Sequence, residues 1–300
     1  MGVCGYRPPH RGAGRQTLRL RSALAAINSQ QLRGTSSQII SRAVGIGGAI
    51  ASPTSGAGGA VIAEADGQGN FSFNNTTNTE FYGFTLSGIE VYCVASSSSN
   101  IHDNTFTNVG LAIFVSGNSS SQYNHNTFTQ LSGGGIYGYP GNNDTYDNNT
   151  FDQVREPIHL VSSSDTTDVS DNVITGASRI GIELQNGMNN LTVENNYMAD
   201  WQVNGTPSTD WHIGISCATM FGNNITISGN TLIQNGPGQA DNVGLGWKSG
   251  IEIMGNTGVS INNNYCYGWS FMAVAIGLPP TALTLELGII HGSGSSRLCH

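Results

Sequence analysis

An asparagine followed two residues later by a large side chain, apolar in nearly every copy, recurs at Asn104, Asn126, Asn149, Asn172, Asn196, Asn230 and Asn264. The intervals are 22, 23, 23, 24, 34 and 34 residues. A unit of this length cannot bury a core alone, so a chain made of such units must stack them. Three residues before each asparagine stand Ile101, Tyr123, Tyr146, Val169, Val193, Ile227 and Ile261. Two residues after it stand Phe106, Phe128, Phe151, Ile174, Met198, Leu232 and Cys266. A second anchor falls between the asparagines, at Ile89, Ile113, Ile136, Ile158, Ile182, Ile215 and Ile251. Apolar residues alternate within each segment, which predicts short strands, each lying parallel to its equivalent one coil earlier. The expected fold is all-β: a right-handed, single-stranded parallel β-helix of about eight coils over residues 61–277. Asparagine suits the corner on two grounds: it tolerates left-handed backbone, and its amide can bond the asparagine of the next coil.

Composition agrees. The 41 glycines and 31 asparagines against 11 lysines and arginines exclude a helix-rich protein. A net charge of -8 repels phosphate backbones and anionic lipid, so no nucleic-acid partner is expected. No apolar run reaches the roughly 18 residues of a membrane span, so no membrane insertion is expected. The five cysteines show no metal-ligand spacing, and no metal or cofactor is predicted; scattered Asp and Asn residues could hold Ca²⁺, but no motif indicates it. Residues 1–42 hold seven arginines and no readable signal peptide. Within them Leu20, Leu24 and Ile27 suit a capping helix over residues 17–32. The β-helix domain is assigned to residues 43–277, and residues 278–300 to a tail or cap.

The segments Gly181-Ile182-Glu183-Leu184 with Leu191-Thr192-Val193-Glu194-Asn195-Asn196, and Gly250-Ile251-Glu252-Ile253 with Val259-Ser260-Ile261-Asn262-Asn263-Asn264, resemble the right-handed parallel β-helix, or pectin-lyase-like, superfamily. That resemblance implies an extracellular or periplasmic protein that handles polysaccharide. It implies no single activity, since lyases, hydrolases, epimerases, tailspikes and adhesins share the fold.

Candidate site residues follow from the repeat. The two long intervals place about eleven extra residues each at one corner of neighbouring coils, carrying Trp201, Trp211, Trp247, Asp200, Asp210 and Asp241. The residue after each anchor reads Glu90, Phe114, Tyr137, His159, Glu183, Ser216, Glu252, and should face outward. Glu183 and Glu252 then lie two coils, about 9.6 Å, apart and are expected to be unpaired. They are candidate hydrolytic carboxylates, with Asp210 or Asp200 as an alternative partner and His212 as a proton-transfer group. The residue before each anchor is Gly88, Ala112, Gly135, Pro157, Gly181, Gly214 or Gly250: either a bare trough for a ligand or glycines required by a turn. Three residues before the anchors, Arg155, Arg179 and Lys248 share a column with His212. They suit a uronate or sulfate group, or are neutralised by neighbours such as Glu156, and Lys248 or His212 could serve a lyase as its base. Binding roles are assigned to Arg155, Arg179, Lys248, His159, Trp201, Trp211 and Trp247. The expected function is a glycoside hydrolase or polysaccharide lyase acting on a glycan, which an acidic one would suit, along the outer face. The alternative is a non-catalytic glycan-binding, adhesin or structural solenoid; oligomeric state is left open.

Overall fold

The computed structural model describes residues 80–161, 164–201, 211–218, 222–235, 248–269 and 272–277, with short segments at 31–33, 50–53, 60–63, 69–75 and 77–78. The strands form three sheets that run side by side along the molecule. Sheet 1 has nine strands from Gly69–Asn74 to Met272–Gly277, sheet 2 nine from Gln31–Arg33 to Thr257–Asn262, and sheet 3 ten from Ile50–Pro53 to Tyr265–Tyr267. The chain visits them in rotation: Ile180–Gln185 lies in sheet 1, Asn189–Glu194 in sheet 2 and Tyr197–Ala199 in sheet 3. Pairing is parallel except between Ile50–Pro53 and Ala60–Ala63. The fold is thus an all-β parallel solenoid, and its seven asparagine-bearing turns come close to the number expected. Among the described residues there is no helix. Residues 17–30 of the expected capping helix, and the tail 278–300, lie outside the described residues; Gln31 and Leu32, its last two positions, are in a strand.

The asparagines form one continuous buried ladder. Asn172 Oδ1 accepts the backbone N–H of Asn149 at 3.0 Å and its Nδ2 at 3.1 Å, while Asn172 Nδ2 donates to Tyr146 O and Asn196 Oδ1, both at 2.9 Å. The same coil-to-coil bonds run from Asn104 to Asn264. The two expected uses of asparagine separate here. Left-handed backbone belongs to the preceding residue, Asp103, His125, Asn148, Asp171, Asn195, Gly229 or Asn263, and the ladder asparagine keeps only the amide role. Beside the ladder, interior rings stack flat: Tyr123 on Tyr146 at 5.0 Å and 8°, Phe106 on Phe128 at 5.1 Å and 6°, Phe128 on Phe151 at 4.6 Å and 5°.

Neither reading of the small-residue column holds for its central members. Ala112, Gly135, Gly181, Gly214 and Gly250 are buried, and none of these has positive φ. They are small because sheet 3 side chains and the next turn's backbone press on them. A Cβ on Gly135 would sit 2.6 Å from both Phe151 Cε1 and Pro157 O, and one on Gly181 2.8 Å from Met198 Sδ and Gly214 O. On Gly214 it would meet Gly250 O at 2.5 Å and Leu232 Cδ1 at 3.2 Å. Gly214→Ala should therefore lower the unfolding free energy by about 1–3 kcal/mol. Gly110→Ala, with nothing within 4 Å of the new Cβ, should change it by less than about 0.5 kcal/mol. Equal melting temperatures for the two variants would refute the packing account.

The first anchor is also displaced. Ile113 pairs with Val91, not Ile89, so Tyr92 rather than Glu90 heads the outward column.

Candidate functional site

The corrected outward column of sheet 1 reads Tyr92, Phe114, Tyr137, His159, Glu183, Ser216, Glu252 and Ala275 in successive register. Its second half carries an acid cluster. Glu183 and Glu252 were expected to be open and unpaired; instead they are 3% and 2% exposed, with Ser216 between them at 1%. Ser216 Oγ donates to Glu252 Oε2 at 2.8 Å. Gln185 Nε2 donates to Glu183 Oε1, and Arg179 Nη1 lies 3.4 Å from Glu183 Oε2. Burial raises the Glu252 carboxyl above its ordinary value; the Ser216 bond opposes this, and the charge of Glu183 adds to it.

Glu156 ties the cluster to the basic column. Its Oε1 accepts from Nη1 of both Arg155 and Arg179 at 2.5 Å, and its Oε2 is 3.2 Å from His159 Nδ1. Burial alone would raise its pKa, but the His159 and Arg179 hydrogen bonds and the two guanidinium charges outweigh it and hold the carboxyl down to about 2. His159 Nδ1 also stands 3.6 Å from Glu183 Oε2. Ligand atoms of Glu156, His159 and Glu183 lie within 4.8 Å of one another, a spacing that could hold a cation. The Arg179 guanidinium already rests on both carboxylates, however, so a metal would have to displace it. The cluster is better described as an ion-pair network. Glu156 was named from sequence only as a neighbour that neutralises charge; its position next to Arg155 was the available signal.

The basic column is in register, with Arg179 N bonded to Arg155 O at 3.1 Å and His212 paired with Lys248. His212 is buried. Of the loop tryptophans, Trp201 is fully buried, its Nε1 donating to Arg179 O at 3.0 Å and its ring 5.1 Å from Trp269 at 74°. It supports the core rather than a surface on which a sugar could stack. Trp211 is 46% exposed. Asp210, Asp241, Trp247 and the Lys248 side chain lie outside the described residues, and Asp200 is exposed. The outward aromatic residues of the first half, above all Phe114, Tyr137 and Tyr139, were not read from sequence as site residues.

Known proteins share this architecture. No curated protein matches the chain in sequence. Among solved structures, a tailspike protein mutant of E. coli bacteriophage HK620 superposes with a TM-score of 0.54 at 14% identity, over 74% of this chain and 45% of that one. DFA-IIIase from Arthrobacter chlorophenolicus A6 in complex with GF2 gives 0.51 at 15% identity, over 71% and 56%. The same enzyme without its lid gives 0.50 at 15%, over 71% and 53%. The chain thus spans about half the length of these structures, and at such identities the likeness is one of fold. The family described as "Right handed beta helix region" matches residues 87–266, more than half of the sequence and the same turns that carry the asparagine ladder, and the chain belongs to that right-handed β-helix family.

Proposed function

We propose that the protein hydrolyses a glycan at the acid cluster of sheet 1, with Glu252 as proton donor and Glu183 as the carboxylate that activates water. The observation carrying this reading is the unequal surroundings of two carboxyl groups in one column. Arg179 and Gln185 hydrogen-bond Glu183, while burial and the Glu183 charge raise the Glu252 carboxyl above its ordinary value. Separate environments for acid and base are what glycosidic hydrolysis requires. Two coil spacings put their Cα atoms about 9.6 Å apart, and carboxyl separations of about 6.5–9.5 Å leave room for a water in the inverting reaction. Glu252 would protonate the leaving oxygen while water adds from the opposite face; Arg155, Glu156 and His159 position Glu183 through Arg179. A non-catalytic binder would not need two carboxyl groups in unequal surroundings. Elimination would instead place the base at His212 or Lys248. An extracellular or periplasmic location, which the fold resemblance implies, is part of this reading.

The test is turnover of the purified protein on neutral and uronic-acid polysaccharides, scored by reducing ends and by unsaturated products. Reducing ends alone are expected, with activity lost toward alkaline pH as Glu252 gives up its proton. Glu252→Gln should lower turnover about 10²-fold with binding retained. Unsaturated products, or full turnover in the variant, would refute hydrolysis by this pair.

A further inference from the structure

The turns before the acid cluster carry a second outward feature. Tyr92, Phe114 and Tyr137 hold one register position on successive turns and lead directly to His159. Ring centroids lie 5.3 Å apart for Tyr92 and Phe114, 6.2 Å for Phe114 and Tyr137, and 4.9 Å for Tyr137 and His159. Tyr139 stands 6.3 Å from both Phe114 and Tyr137 and is 46% exposed. Tyr92 is anchored by its hydroxyl, which donates to Glu90 Oε2 at 2.6 Å.

The interior columns show what rings one coil apart do when packing alone decides: they lie flat, within 5–8° of parallel, and cover each other. The outer rings do not. Tyr92 and Phe114 differ by 42° and Phe114 and Tyr137 by 37°, and all three are half-buried. Their faces are therefore only partly spent on one another. Open aromatic faces with hydroxyls at their rim suit a ligand that is apolar on its faces and polar at its edges.

Charge narrows that ligand further. Glu90, Glu156 and Glu183 stand along the outer side of sheet 1 with Glu252, the proposed proton donor, adding no charge in its acid form, and both guanidiniums beside them, Arg155 and Arg179, already rest on Glu156. The described charges are thus net negative, in a chain whose formal charge is -8, and an anionic polymer would be repelled. We propose that Tyr92, Phe114, Tyr137 and Tyr139 form a platform for an uncharged glycan that lies along the solenoid axis and leads to Glu183 and Glu252. This rests on the hydrolase reading and makes the substrate a neutral polymer rather than a uronate or sulfate.

The experiment is binding of the full chain carrying Glu252→Gln to an immobilised array of neutral, uronate-containing and sulfated glycans, at low and high salt. Neutral chains should bind with little effect of salt. Phe114→Ala and Tyr139→Ser should each weaken that binding about tenfold, the size of one aromatic contact, with unchanged thermal melting. Tyr139→Ser, at an exposed position, keeps the test valid if Phe114→Ala folds poorly. Preference for anionic glycans, undiminished binding in Tyr139→Ser, binding to no glycan, or a dimer that Tyr139→Ser abolishes would each overturn the proposal. Row-dependent binding without wild-type turnover would sink hydrolysis and leave the platform standing. Turnover unaltered by both row variants would do the reverse.

Discussion

Asn172→Ala lowers the unfolding free energy by about 3–5 kcal/mol, read from urea denaturation followed by far-UV circular dichroism. The variant removes four buried hydrogen bonds at once, although Asn149 Nδ2 keeps its bond to Tyr123 O and Asn196 Oδ1 keeps the backbone N–H of residue 172. Asn149 loses the acceptor for its backbone N–H and for its Nδ2, and Tyr146 O and Asn196 Oδ1 each lose a donor. The Asn149 backbone N–H left unmatched costs about 1–3 kcal/mol, and each of the other lost bonds about 0.5–1.5 kcal/mol, part of which relaxation recovers. Asn172→Asp keeps an acceptor oxygen but removes the donor and adds a charge at a site of zero exposure, so it should fare no better. Thr150→Ala, at an exposed position one residue beyond the ladder, should change stability by less than about 0.5 kcal/mol. A loss below about 1 kcal/mol in Asn172→Ala would mean that the ladder is not what fixes the corner.

Stability should rise as pH falls from 7 toward 4.5, the opposite of ordinary acid sensitivity, and Asp144→Asn should remove most of the rise. Burial pushes the Asp144 carboxyl up to about 6 from 3.8, while N–H bonds from Ser121 and Gly141 pull it down. A folded-state value above the unfolded one means that the fold prefers the protonated acid. The associated stability is complete below the unfolded value near 3.8 and is lost as pH rises through about 6. The difference corresponds to about 3 kcal/mol at neutral pH. Glu156 has the opposite sign: its stabilisation is present above 4.5 and is lost only as pH falls through about 2, which leaves the window from 4.5 to 7 to Asp144 and, in the same direction, Glu252 and Asp168. Denaturation at pH 5 and pH 7 decides the matter. A pH dependence that survives unchanged in Asp144→Asn would assign it to other groups.

The stacking was legible because it is written seven times: once Asn104 to Asn264 are aligned, both interior columns follow. The first anchor was not, because Ile89 and Val91 are both inward and a two-residue slip keeps every side chain on its face. Only hydrogen-bond register chooses between them, and that choice brings Tyr92 into line with Phe114. The glycine column misled because an absent side chain looks the same in sequence whether a ligand or Phe151 takes its space. Trp201 follows its asparagine by five residues, as Val109, Leu131, Val154 and Ala177 follow theirs, and all of these are buried. That column could have marked it as interior. The carboxylates were found by register alone, whereas their burial depends on contacts between turns that no single repeat encodes.

The asparagine ladder also has an arrow. From Asn104 to Asn230, each backbone N–H and side-chain amide donates to the Oδ1 of the turn that follows it in sequence. As the chain emerges from a ribosome, each new turn therefore arrives as the acceptor that the exposed end is waiting for. At any length one end presents unspent donors of this ladder and the other none. Among the described residues the ladder ends at Asn264, whose Nδ2 donates to Ile227 O and Asn262 O. A solenoid built this way does not count its turns: one inserted or deleted with its asparagine intact would pass unnoticed by its neighbours. Repeat number can then drift between relatives while the corner chemistry stays fixed, and the distance between the aromatic row and the acid cluster becomes adjustable in whole coils.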